Sequence, residues 1–366
     1  MMKSSYAKED VCLLLKDVTG LVAPLPAKER EILIQNGAHY CEMLPVEYVP
    51  GKAYMEAYKN ALESYSGAVA RAVEVLGEKI LAWKGIDVVL VSLARAGTPI
   101  GILLKHYLQK KYGMKISHYS VSIIRGKGID QNAMRYLLAR YRPEQLQFVD
   151  GWIGKGAILS ELRSALSAWP GVSPELGVVA DPAYATWLCG THEDILIPSS
   201  CLNCTVSGLI SRTFLREDII GEQDFHGAVY YEELKGQDLS YAFLQAIEAE
   251  FTKGGTGRGS RNQKSDRVSG WQKEEKEKEG SGRFETNRIA QAFGVNNINF
   301  IKPGIGETTR VLLRRIPWKV LVDPRYIMDS SIAHILRLAR DKGVPVEEYR
   351  MTNYKACGII QVLADT

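Results

Sequence analysis

Between residues 86 and 181 the chain alternates short, unbroken apolar runs with longer stretches whose apolar residues recur every three or four positions. IDVVLVSL (86–93), KISHYSVSII (115–124), LQFVD (146–150) and LGVVAD (176–181) have strand length, and the first and last carry almost no polar side chain, as strands covered on both faces require. The stretch after the first run, ARAGTPIGILLKHYLQKKYG, reads as a turn and an amphipathic helix with Leu103, Leu104 and Tyr107 on one side. This alternation predicts a parallel, doubly wound α/β sheet, which takes its ligands at the C-terminal ends of its strands. Most of the first ninety residues read as helix, with 55–83 the strongest amphipathic segment, and are expected to form a cap or packing layer. A shorter alternation of glycine loop, helix, strand, helix and strand follows residue 298, in INFIKPGIGETTRVLLRRIPWKVLV (298–322), DSSIAHILRLARDKGVPVEEYR (329–350) and YKACGIIQVLAD. It predicts a small three-layer α/β domain.

Composition separates the two alternations. Residues 252–285 are Gly/Ser-rich and then charge-alternating, with Trp271 as a single aromatic anchor, so they read as a flexible charged linker between a unit at 1–251 and another at 286–366. Counting Lys+Arg against Asp+Glu, the first unit carries 25 and 29 (net −4), the linker 9 and 6 (net +3), and the last unit 12 and 7 (net +5). Different charges imply different partners for the two units. The 366 residues, 46% hydrophobic, suffice for two modest cores. The N-terminus lacks the charge and hydropathy order of an export signal, and no apolar run approaches a membrane span; a cytoplasmic protein with six thiol cysteines is expected. A homodimer is compatible with the pattern.

Two glycine turns fall at strand ends. FVDGWIGKGAI (148–158) places an acid and three glycines before a helix, which exposes backbone amides to an anion. Gly151 and Gly156 have P-loop spacing, but Ala157 stands where the lysine should be, and glycines at 151, 154 and 156 do not make G-x-G-x-x-G. The remaining pattern suits a diol beside a phosphate. Arg95, Arg125 and Lys127, near glycine turns, could oppose the negative charge that develops when an anomeric C–O bond breaks.

FVDGWIGKGA resembles the ribose-5-phosphate loop of type I phosphoribosyltransferases, and VVLVSLARAGTPIG resembles their pyrophosphate loop. The resemblance implies a type I phosphoribosyltransferase-like sheet binding phosphoribosyl pyrophosphate (PRPP) or a related ribosyl-5-phosphate or nucleotide with Mg2+. Asp150 would hold the ribose, Gly154, Lys155, Gly156 and Ala157 the 5-phosphate, and Arg95, Ala96 and Gly97 the pyrophosphate. Arg125 and Lys127 would lie on a catalytic loop. Gly151 replaces the family's second acid and Ile153 its threonine, which keeps open a non-catalytic nucleotide sensor that also binds RNA.

DPAYATWLCGTHEDILIPSSCLNCTVSGLISRTFL (181–215) is too polar for plain core. With the two loops, it makes residues 1–251 resemble a bacterial family of tellurite-resistance and stress operons, described both as phosphoribosyltransferase-like and as a cysteine protease of the StiP type. The transferase description puts Ser207, Ser211 and Arg212 near the phosphates. The protease description needs a thiol with a base, and the candidates are Cys201 with His192 or His226, with Asn203 donating to an oxyanion. Cys189, His192, Cys201 and Cys204 also have zinc-like spacing, but the apolar ILIP between the pairs suits a strand better than a knuckle, and no metal site is expected.

GIGETTR (304–310) resembles the G-x-N-E-x-T-K loop of pelota and ribosomal L7Ae-type RNA-binding domains, with Gly306 in place of Asn and Arg310 in place of Lys. The resemblance implies that Gly304, Glu307, Thr309 and Arg310 face RNA, with Arg314, Arg315 and Lys319 available to phosphates. The favoured expectation is a phosphoribosyltransferase-like stress protein acting on a base, nucleoside or RNA and coupled to RNA binding. The alternatives are a cysteine protease using Cys201 and the nucleotide-sensing RNA-binding protein.

Overall fold

The computed structural model describes residues 2–252, 268–273, 276 and 278–361. Six strands form one wholly parallel sheet: β1 (Cys12–Leu14), β2 (Val89–Leu93), β3 (Ser117–Val121), β4 (Leu146–Trp152), β5 (Leu176–Ala180) and β6 (Cys189–Thr191), in the order β1-β3-β2-β4-β5-β6. β2 and β5 are buried at every position, as their continuous apolar runs demand. The chain goes from β2 to β3 on one side and then to β4 on the other, so order reverses between β2 and β4. The two glycine turns meet there. A Cβ on Gly97 would lie 2.6 Å from the Val149 carbonyl oxygen, so only glycine lets the turns pass.

Helix α1 (Ala27–Gln35) and the 33-residue α2 (Lys52–Lys84) make up the expected helical part. α2 lies across the sheet and buries Val69, Val73, Leu76 and Ile80 against it. Helices α3 (Gly97–Tyr112), α4 (Gln131–Leu138), α5 (Ala157–Leu166) and α6 (Ser240–Glu248) complete the layers. The expected strand 115–124 breaks after Val121: Ile123–Ile124 pairs antiparallel with Gly128–Ile129, and this hairpin carries Arg125 and Lys127. β1 and β6, three residues each, are too short to announce themselves by periodicity.

The smaller domain comprises α7 (Ser281–Ala292), β7 (Ile301–Pro303), α8 (Ile305–Arg314), β8 (Pro317–Val322), α9 (Ala333–Asp341), β9 (Val346–Glu348) and β10 (Ala356–Ile360). Its sheet runs β7-β10-β8-β9, antiparallel except for β8 with β9. Most of the stretch expected as linker lies outside the described residues. Within it, Trp271 packs on the larger domain's core, with the Lys79 ammonium 5.7 Å from its ring, and α7 is helical from Ser281.

The smaller domain sits on the C-terminal ends of the parallel strands. Asp194, beyond β6, accepts the Ile305 amide at 2.9 Å and the Lys355 amide at 2.9 Å, capping α8 from across the interface. Burial pushes its carboxyl up to about 6. Tyr354 donates to the Gly154 carbonyl at 2.8 Å, Lys155 to the carbonyls of Ile298 and Ile301, and Tyr54 of α2 to that of Leu313. One hydrophobic cluster runs through both domains, from Leu76 and Ile80 to Ile305 and Leu312.

Candidate functional site

At the reversal point, most of the expected ligand residues have protein partners. Asp150 accepts the Gly151 amide at 2.7 Å, and desolvation raises its carboxyl to about 7. The 154–157 turn faces the smaller domain: the amine of Lys155 is spent on carbonyls there, and a Cβ on Gly154 would lie 3.3 Å from Glu307. Gly156 adopts the left-handed conformation that starts α5 at Ala157. Arg95 pairs with Glu47 at 3.1 Å and donates to the Ile210 carbonyl at 2.9 Å, while neighbouring Ala96 is exposed. Arg125 reaches Asn299 of the smaller domain at 3.2 Å, and Lys127 is exposed. Arg212 donates to the Tyr40 carbonyl at 2.7 Å, Ser211 to that of Arg212 at 2.7 Å, and Ser207 to that of Asn203 at 2.9 Å. These groups stabilise the turns around the reversal point. A narrow cleft of about 70 Å3 remains among Asn203, Ser207, Ser200, Trp152, Arg310 and Arg314.

The thiols separate into two kinds. Cys201 is fully buried, and burial raises it to about 12; among the described residues it has no imidazole within hydrogen-bond reach. Neither expected base serves it. His226 bonds through Nδ1 to Ser122 at 2.8 Å, and its backbone amide donates to Asp130 at 2.6 Å. His192 belongs to another cysteine: its Nε2 lies 3.1 Å from Cys189 Sγ. The Nδ1 of His192 lies 2.6 Å from the Asp181 carbonyl oxygen and 4.0 Å from that residue's carboxylate. A carbonyl only accepts, so Nδ1 carries the hydrogen and the Nε2 lone pair faces the thiol. The Tyr184 ring stacks on the imidazole at 4.0 Å and 4°. Burial raises the Cys189 thiol, and the His192 hydrogen bond opposes that rise.

A second pair, Cys41 with His39, brings Sγ within 2.9 Å of Nδ1, with Nε2 3.1 Å from the Arg125 carbonyl. Its Nδ1 already accepts the Cys41 amide at 3.3 Å. Next to the Cys189 pair, Arg163, Glu175, Tyr184, Trp187, Lys273 and Glu279 line a cleft of about 360 Å3. Among the described residues, no three His, Cys, Asp or Glu side chains converge as metal ligands. The signal that could have found the pair was Cys-x-x-His just beyond an apolar strand. Spacing directed attention to zinc instead.

The residues expected to face RNA lie on α8, turned toward the larger domain. Gly304 is buried beside Asp194, with φ +94°. Glu307 accepts from Trp152 at 3.3 Å and from Arg310 at 2.7 Å. Thr309 donates to the Ile305 carbonyl at 2.8 Å and contacts His334 at 2.8 Å. Arg314 donates to the Ser200 carbonyl at 3.1 Å, and desolvation lowers its guanidinium to about 9. Only Arg315 of this set is fully exposed. The domain interface occupies this loop, because Asp194 caps the helix that follows.

The fold and site thus define a two-domain α/β protein with a thiol–imidazole pair at the end of an edge strand. A family model for the tellurite-like stress resistance cysteine protease StiP matches residues 4–248, and one for the PELOTA RNA binding domain matches 280–362. A protein of Acinetobacter baylyi named Cysteine protease StiP is 34% identical over 371 residues, covering 98% of this chain and 94% of that protein. No solved structure matches. The chain belongs to the StiP family, and its C-terminal part is a pelota-type domain. This overturns the favoured expectation of a PRPP-dependent transferase: family and relative are both named for a cysteine protease, in keeping with the alternative. Among the described residues, no helix is long and apolar enough to cross a membrane.

Proposed function

We propose that this chain is a thiol peptidase of tellurite-like stress resistance, with Cys189 as nucleophile and His192 as general base. His192 Nε2 takes the thiol proton, and sulfur attacks the peptide carbonyl. The imidazolium returns that proton to the leaving amine as the C–N bond breaks. Water, activated by the same nitrogen, then hydrolyses the thioester. The Asp181 carbonyl fixes the tautomer, and its carboxylate, 4.0 Å from Nδ1, favours the imidazolium. The observation that carries the reading is the 3.1 Å contact between Cys189 Sγ and His192 Nε2, with Nδ1 of the same ring held on the Asp181 carbonyl, in a family named for cysteine proteases. The test is hydrolysis of fluorescently quenched casein by full-length protein. Cys189→Ala and His192→Ala should each lose activity, on the order of 10³-fold or more, while Cys201→Ala keeps it. Undiminished hydrolysis by Cys189→Ala would reject the assignment.

The C-terminal domain is proposed to bind structured RNA, as the name of its matched model supports. Its exposed rim offers Arg315 and Trp318 (40% exposed), whose indole ring lies 4.4 Å from the ammonium of the less exposed, Glu347-paired Lys319. Such a face stacks on bases and meets phosphates. Binding should weaken steeply with salt, and Arg315→Ala should make that dependence shallower; an unchanged salt slope would reject this rim as the contact surface.

A further inference from the structure

Cys189 is 1% exposed. The turn after β5 covers it: Ala183 packs with Cys189 in one apolar cluster, and Tyr184, two residues before Thr186, lies flat on His192. A scissile carbonyl must come within about 3–3.5 Å of sulfur to react, which this cover prevents. The cover is fastened from the other domain. The Gly280 amide donates to the Tyr184 carbonyl at 3.0 Å and the Gly282 amide to the Ala183 carbonyl at 3.1 Å. The Asn353 side-chain amide donates to the Pro182 carbonyl at 2.9 Å and to the Ser281 hydroxyl at 2.8 Å. Three successive carbonyls of the turn are therefore held by the C-terminal domain. The fit leaves no slack, since a Cβ on Gly282 would lie 2.4 Å from Ala183 Cα.

We infer that the C-terminal domain is a latch on the thiol site: it holds residues 182–184 over Cys189 and His192, and its release uncovers the pair. The functional meaning rests on Cys189 being the nucleophile; the latch itself does not. In this arrangement the domain that matches an RNA-binding model is also the domain that controls access to the thiol, so the two activities proposed for the chain would meet at one interface.

The test measures iodoacetamide alkylation of Cys189 in the full-length protein, resolved by peptide mass spectrometry. Asn353→Ala, which removes one fastening, should accelerate it roughly 2- to 10-fold. Gly282→Val, which cannot seat against Ala183, should do so by more than about tenfold. Cys204, buried in the larger domain away from the turn, reports general loosening and should keep its wild-type rate in both variants. Equal Cys189 rates in wild type and both variants would overturn the latch, as would a Cys204 rate rising in step with that of Cys189. If Cys189 is uncovered as expected but no variant hydrolyses peptide, the latch stands and the peptidase reading falls. If hydrolysis needs Cys189 and both variants leave its alkylation unchanged, the peptidase stands and the latch falls.

Discussion

The molecule holds two imidazole–thiol pairs of nearly equal length, 3.1 Å at Cys189–His192 and 2.9 Å at His39–Cys41, and they differ in what else the imidazole does. His39 caps a short 3-10 turn, and the same Nδ1 that meets the thiol accepts the Cys41 backbone amide. In the other pair, Nδ1 is anchored on the Asp181 carbonyl at 2.6 Å, and it is Nε2 that meets the sulfur. A lone pair used in building a turn is a weaker base than one held toward a nucleophile. Distance does not separate the two histidines, and neither does the second ring nitrogen, which faces a backbone carbonyl in both; what differs is that the thiol-facing nitrogen of His39 also caps its own turn.

The comparison can be broken by experiment. The largest effect is expected from His192→Ala, which should abolish peptide hydrolysis, on the order of 10³-fold or more, whereas His39→Ala should lower it less than about tenfold. Equal losses would erase the distinction between the pairs. Asp194→Ala comes next: it strips two backbone amides of their acceptor at the domain interface and should cost about 2–4 kcal/mol of docking, read as faster hydrogen exchange in α8. Unchanged exchange in α8 would remove Asp194 from the account of docking.

Asp194 also gives a pH dependence. Its folded pKa, about 6, lies above the ordinary value of 3.8, so the docked state binds a proton that the free carboxyl releases. Asp194's contribution should therefore favour docking most below pH 4, decline as pH rises toward 6, and level off above it. Asp194→Asn should flatten that part of the profile, and an identical slope in the variant would assign it to other groups. The smallest effect is expected from Cys201→Ala. With its thiol raised to about 12, roughly one molecule in 10⁴ carries a thiolate at pH 8, so loss of Cys201 should leave hydrolysis within about twofold of wild type and cost stability alone.

Much of the frame was legible because burial writes itself into apolar runs. VVLVSL and LGVVA had to be central parallel strands, and the glycine turns after VVLVSL and LQFVD marked the reversal point. The small domain was legible for the same reason, with IKP, VLLR and ACGII alternating at element length. The pelota-like loop was also visible, but its placement was not. Whether Gly304 faces solvent depends on Asp194, 110 positions earlier, and no local pattern reports that contact.

The stretch around Cys201 was hard to read for a related reason. The serines, threonines and asparagine around Cys201 suggested a polar pocket, but the chain there folds into two 3-10 turns, and Ser207 is spent on the Asn203 carbonyl. In the sequence, Cys189 joins His192 only as part of a zinc-like spacing. The role proposed for Cys189 depends on β6 ending at Thr191, which turns His192 back over the strand toward the Asp181 carbonyl beyond β5.

The most direct measurement is site-resolved labelling of wild-type and His192→Ala protein at pH 8 with a peptidyl vinyl sulfone, quantified for each cysteine by mass spectrometry. The account predicts an adduct on Cys189 in wild type that falls at least tenfold in His192→Ala, with Cys41 and Cys201 near background in both. A dominant adduct on Cys201 or Cys41, or Cys189 labelling indifferent to His192, would contradict it.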